Sequence, residues 1–309
     1  MAISNAMRSA LKAITALEPE VKKSYKAERQ FELLTARLRG MPTDYRMCDH
    51  EVCCGGHTVP VRMFSPKGRG PFRTLLFFHG GGWVTGSIEN YTGVCVDLAK
   101  ATNCVVACVD YRLAPEYRFP AGPEDCYAAA REFFTGRIPG ICPENITIIG
   151  DSAGGTLAAA VSLMARDRGE FHPKRQILLY PAMFNDHSET SPFLSVKENG
   201  TGYLLTSRRV QEFMELYSGK PDDFYSPLFA PLLESDLSGQ PRTLIITAEF
   251  CPLRDEGEYY GRCLREAGSI VKIYRMKDAL HAFLMLPPRF PQVQTAYRVI
   301  NEFLAQEDK

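Results

Sequence analysis

The chain reads as an α/β protein built on a mostly parallel sheet with helices on both faces. Three features predict this class. After the first seventy residues or so, short apolar runs alternate with stretches of helical period, the order that builds parallel sheets. Several runs are apolar almost throughout, as strands buried on both faces are. The 309 residues are 45% hydrophobic and 23% charged, enough for one large domain to bury a core.

The elements follow in order. Leu11, Ile14, Leu17, Val21, Phe31, Leu34 and Leu38 recur at helical spacing among Ala, Lys, Glu and Arg. They predict one or two amphipathic helices over residues 1–40, ended by Gly40 and Pro42. YRMCDHEVCC and HTVPVRMFSP flank Gly55-Gly56 and predict a hairpin. Further strands are expected at 74–80, 105–112, 146–152, 176–182, 243–249 and 270–276, making eight with the hairpin. Helices are expected near 90–101, 123–135, 154–168, 255–267 and 291–306. Residues 183–240 break the rhythm with Pro192, Gly200, Gly202, Pro221, Pro227 and Pro231, plus one helical stretch near 207–217. This segment reads as an insertion over the C-terminal edge of the sheet.

Composition excludes some functions. Lys+Arg 36 balances Asp+Glu 36, so no net field draws nucleic acid or an anionic membrane. No run is long and apolar enough to span a bilayer, and MAISNAMRSALKAITALEPE lacks the apolar core of a secretory signal. The ten cysteines are scattered, without a C-x-x-C pair or metal-ligand spacing. They read as reduced thiols in a cytoplasm, against a disulfide framework in a secreted protein. Cys104 and Cys108, in apolar runs, read as small core residues.

Three motifs carry chemistry. Gly150-Asp151-Ser152-Ala153-Gly154 fits G-x-S-x-G between an apolar strand and an Ala-rich helix. A serine on so sharp a turn needs small neighbours, and the helix that follows offers its N-terminal amides to developing negative charge. The ordinary alternative is a Gly-rich turn feeding a helix. His79-Gly80-Gly81-Gly82-Trp83 follows an apolar strand, and its glycines can turn N–H groups toward an oxyanion. The donors would be Gly81, Gly82 and Ala153. A phosphate loop is excluded because no G-K-[ST] follows. Of six histidines, only His281 follows the serine in the order serine, acid, histidine. A histidine titrates where a general base must.

These residues resemble the hormone-sensitive-lipase-like branch of the α/β-hydrolase esterases. The resemblance rests on HGGGW at 79–83, DYRLAPE at 110–116 with FPA at 119–121, GDSAGG at 150–155, PLRDEG at 252–257, and His281-Ala282-Phe283. It spans roughly residues 45–305. It implies an eight-stranded, mostly parallel sheet with a helical cap from residues 1–45 and 183–220 on one domain covering 1–309. It implies a serine hydrolase of short-chain carboxylic esters, with no metal and no cofactor. Asp110-Tyr111-Arg112 would buttress the glycine loop. Trp83, Asp151, Phe213 and Tyr217, with Phe31 and Leu34, would line the substrate pocket. Dimers through the edge of the last strand are common in such folds, and a homodimer is left open.

One position departs from the pattern. Relatives carry an aspartate immediately before PLRDEG, and this chain has Cys251. That acid would accept the histidine's Nδ1–H and stabilise the imidazolium. A neutral thiol is a poor acceptor, and a free cysteine ionises only near a pKa of about 8.5. Three readings follow. Cys251 stands in the acid's place and the esterase is slow. Or the acid has moved to Asp255 or Glu249, with Asp278 remoter. Or the chain binds a small molecule without turning it over, as hormone receptors of this fold do; those lose the histidine, which is kept here.

Overall fold

In the computed structural model, residues 9, 11–13, 15, 18–39, 45–68 and 70–306 are described. Eight strands form one sheet: β1 (Arg46–Cys54), β2 (His57–Ser65), β3 (Thr74–Phe78), β4 (Val105–Val109), β5 (Ile146–Asp151), β6 (Arg175–Leu179), β7 (Arg242–Phe250) and β8 (Val271–Leu280). Their spatial order is β1-β2-β4-β3-β5-β6-β7-β8. β1 pairs with β2, and β2 with β4, antiparallel; every later pairing is parallel.

Burial explains the sequence pattern. Every residue of β3, β4, β5 and β6 is buried, so these strands show no polar alternation. β1 sits at the edge with most residues exposed or half-buried, and there the charges appear. Helices α2 (Ile88–Thr102) and α8 (Pro291–Leu304) pack on each other against one face. Helices α3 (Ala121–Phe134), α4 (Ala153–Arg168) and α7 (Arg254–Glu266) cover the other. Cys104 and Cys108 are core residues.

The remaining helices lie beside the C-terminal ends of the strands. These are α1 (Val21–Arg39), α5 (Leu194–Asn199) and α6 (Ser207–Tyr217). α6 starts where the Thr206 hydroxyl accepts the Arg209 N–H at 3.2 Å. It is tied to α1 by Arg209 on Glu28 at 2.9 Å and by Glu212, which accepts the Val21 N–H at 2.8 Å. The one-turn-and-a-half α5 carries too little periodicity to be seen in the sequence.

Some expectations are corrected. β8 runs past residue 276 to Leu280, through an irregularity where Asp278 has φ +54°, because pairing with β7 outweighs the polar Lys277-Asp278. Phe31 and Leu34 are 67% and 56% exposed on α1 and do not line the cavity that holds Ser152. Ile14, Leu17, Gly40, Pro42 and the side chain of Leu38 lie outside the described residues. No described helix is long and apolar enough to cross a membrane.

Candidate active site

The nucleophile candidate sits where β5 turns into α4. Ser152 adopts φ +54°, ψ −122°, a region that non-glycine residues rarely occupy. The turn is so tight that a Cβ on Gly150 would stand 2.0 Å from the Gly154 carbonyl oxygen. A Cβ on Gly154 would meet the Phe78 oxygen at the same distance. The two glycines are therefore a steric requirement for aiming Ser152 out of the sheet.

The loop after β3 faces this turn. Gly81 and Gly82 have φ +116° and +60°. The Gly80 N–H is taken up by Asp151 Oδ1 at 2.8 Å and by the Tyr91 hydroxyl at 3.0 Å. Among the described residues, the N–H groups of Gly81, Gly82 and Ala153 have no acceptor, and all three residues line one cavity with Ser152. The stretch after β4 supports the loop from behind. Tyr111 donates its hydroxyl hydrogen to the His79 oxygen at 2.7 Å and stacks on the His79 ring at 4.4 Å. Arg112 holds Asp125 through two side-chain bonds of 2.8 Å.

β8 delivers the histidine. His281 Nε2 stands 2.9 Å from Ser152 Oγ, and its Nδ1 stands 3.1 Å from Cys251 Sγ. Cys251 is fully buried, which pushes its thiol well above the usual cysteine range, so the sulfur is neutral at physiological pH. Burial also lowers His281 to about 3, with no carboxylate to offset it. The Leu253 backbone N–H lies near the thiol and partly offsets the rise at Cys251. Both ring nitrogens of His281 are therefore engaged, one by a hydroxyl and one by a thiol.

The other carboxylates face elsewhere. Asp255 is paired with Arg254 at 2.7 Å and accepts the Ser195 N–H at 2.8 Å. Glu249 accepts the Asp278 backbone N–H at 2.7 Å. Neither Asp255, Glu249 nor Asp278 is bonded to His281. At His281 Nδ1 the structure places the Cys251 thiol, while Asp255 is held by Arg254 and Ser195 and Glu249 by the Asp278 N–H. Asn199 fixes the Cys251 turn by donating to the Glu249 and Cys251 carbonyls, both at 3.2 Å.

The cavity above these groups measures about 220 Å³. Trp83, Asp151 and Phe213 line it. Tyr217 does not: it stacks behind Trp83 at 4.6 Å, buried against Phe229. A helical position can carry an aromatic into a pocket or behind it, and spacing alone does not say which.

The profile of a family described as alpha/beta hydrolase fold matches residues 75–285. The chain belongs to this α/β-hydrolase family. An arylesterase of Saccharolobus solfataricus is 36% identical over 249 residues, 79% of each chain. An ethyl acetate hydrolase of Pseudomonas putida is 33% identical over 288 residues, 91% of this chain and 89% of its own. Among solved structures, an esterase of Pyrobaculum calidifontis superposes with a TM-score of 0.87 at 34% identity, covering 97% of both chains. The hormone-sensitive-lipase-like branch indicated by the motifs agrees with these relatives.

Several residues of this α/β-hydrolase site carry no motif. Tyr180, just beyond β6, places its ring edge-on to His281 with centroids 5.0 Å apart. Tyr91 donates to Asp151 Oδ2 at 3.1 Å, and burial raises Asp151 to about 7. Glu32 reaches the cavity from α1. A tyrosine ending a buried strand was the one available signal for Tyr180; Glu32 had none. Among the described residues, Cys54, His57 and Asp125 are the group that converges as metal ligands. Arg112 holds both oxygens of Asp125, and its guanidinium opposes a cation there.

Proposed function

We propose that the chain hydrolyses short-chain carboxylic esters through an acyl-enzyme on Ser152, slowly, because a thiol stands where the family places an acid. One observation carries this reading: the line Ser152 Oγ, His281, Cys251 Sγ, with spacings of 2.9 and 3.1 Å, beneath a cavity bordered by free N–H groups.

Ser152 Oγ attacks the ester carbonyl while its proton passes to His281 Nε2. The N–H groups of Gly81, Gly82 and Ala153 receive the oxyanion. The imidazolium returns the proton to the leaving alcohol, and a water activated by His281 frees the acid. The base step needs the proton of neutral His281 on Nδ1. A carboxylate at position 251 would impose that tautomer and stabilise the imidazolium. A neutral thiol accepts weakly, and it can also donate S–H to Nδ1 and stabilise the idle tautomer. The hydroxyl, histidine and oxyanion donors remain, so a residual rate is expected.

At about 220 Å³ the cavity is smaller than the ~300–1,000 Å³ of typical ligand pockets, which supports short acyl groups. Residues 1–45 and 183–220 act as the cap, supported by α1 and α6 beside the cavity. The test is p-nitrophenyl butyrate hydrolysis by the chain beside Ser152→Ala and Cys251→Asp. Residual turnover that disappears with Ser152→Ala is expected. Equal rates in all three proteins would end the esterase reading and favour a binding protein.

A further inference from the structure

The cavity lining is of two kinds. Leu205, Val210, Phe213 and Met285 are apolar. Glu32 from α1 and Asn90 from the first turn of α2 are polar, and both lie beside the Gly86-Ser87 turn.

Glu32 is half-buried in a site where a carboxyl is costly. Its Oε2 accepts the Gly86 N–H at 3.1 Å, and the Thr85 hydroxyl lies beside the carboxyl. A carboxylate offers about four acceptor positions, so acceptor capacity is left on a residue that lines the cavity. The neighbouring cation does not use it. Arg29 is committed to the carbonyls of Val84 and Ala114, each at 2.7 Å, and to Glu116 at 3.0 Å. Those bonds already fasten α1 to the glycine loop, and a neutral glutamine would accept the Gly86 N–H equally well. Asn90 has no side-chain hydrogen-bond partner among the described residues. Asp151, the other carboxyl on the cavity, is occupied by Gly80 and Tyr91.

We infer that Glu32, assisted by Asn90, selects esters whose alcohol or acyl portion carries a hydrogen-bond donor, a hydroxyl or an ammonium, at its far end. The apolar residues take the carbon chain and the polar pair takes the donor. This rests on the esterase reading for the word ester; the donor preference is a property of the cavity and can be measured without turnover.

Trp83 is the only tryptophan of the chain and lines the cavity, so its fluorescence reports occupancy. The titration uses three ligands: n-pentanol, the pentanediol with a hydroxyl at each end, and aminopentanol with its amine at the far end. The two donor-bearing ligands should bind about tenfold more tightly than pentanol. Glu32→Gln should abolish the extra affinity of the amine and keep part of that of the diol. Glu32→Leu should abolish both. Equal affinities for the three ligands in the unaltered chain, or a donor advantage that survives Glu32→Leu, would overturn the inference. p-Nitrophenyl butyrate turnover, run in parallel, separates the two failures: donor selection without turnover sinks the esterase reading alone, and turnover without selection sinks this one alone.

Discussion

One turn, from the end of β7 into α7, serves two buried histidines differently. Glu256 gives His187 a carboxylate at 2.8 Å, with both side chains sealed from solvent. Cys251 gives His281 a thiol at 3.1 Å. The carboxylate with its full hydrogen bonding, including the Met183 N–H at 2.7 Å, sits where only structure is at stake. The thiol sits beside the nucleophile. The difference teaches that the fold tolerates a neutral partner at His281 because an uncharged pair is cheap to bury. What a thiol lacks is a charge to answer the imidazolium, which matters for turnover rather than for folding.

Replacing the thiol tests this most severely. Cys251→Asp should place a carboxylate against His281 Nδ1 and the Leu253 N–H, and raise kcat by about 10²–10⁴-fold, measured with p-nitrophenyl butyrate. No gain would mean that the two histidines do not differ in the way proposed. The pH dependence follows. Folded His281 titrates at about 3, while an unfolded histidine titrates near about 6.5. Between these values the unfolded chain binds a proton that the folded chain refuses. The contribution is complete above about pH 6.5 and declines as pH falls, by on the order of 4 kcal/mol in all. Urea unfolding across that range should show the slope, and Cys251→Asp should flatten it, since a carboxylate favours the imidazolium. An unchanged slope in that variant would assign the acid sensitivity to other groups.

The structural pair should respond in stability instead. Glu256→Leu leaves His187 and the Met183 N–H without their acceptor and should cost about 3 kcal/mol in urea unfolding. A mild effect would show that the carboxylate there is dispensable too. Smallest is Asp255→Asn, which weakens bonds to Ser195 and Arg254 and should cost about 1 kcal/mol, with kcat unaltered. A collapse of kcat in that variant would return Asp255 to the acid's role.

How much of this was legible from residues alone varies along the chain. Strands β3 to β7 were legible because burial on both faces leaves a mostly apolar run without polar alternation. The end of β8 was not, since its last residues are held by pairing with β7 despite a polar sequence. Phe31 and Tyr217 were both expected on the pocket as part of the cap; one is exposed and the other lies behind Trp83. The amphipathic period locates a stripe on a helix but not what the stripe meets.

The sequence by itself determined the order of strands and helices, the serine elbow, the glycine loop and the histidine; the aspartate expected at Cys251 came from the family resemblance. The former are local matters, because backbone sterics and hydrophobic period act over a few neighbouring residues. Only the tertiary structure decided that Cys251 itself faces His281, that Asp255 and Glu249 are committed to other bonds, and that Glu32 reaches the cavity. Those outcomes join residues far apart in the chain, where burial and competition for hydrogen-bond partners settle which groups meet.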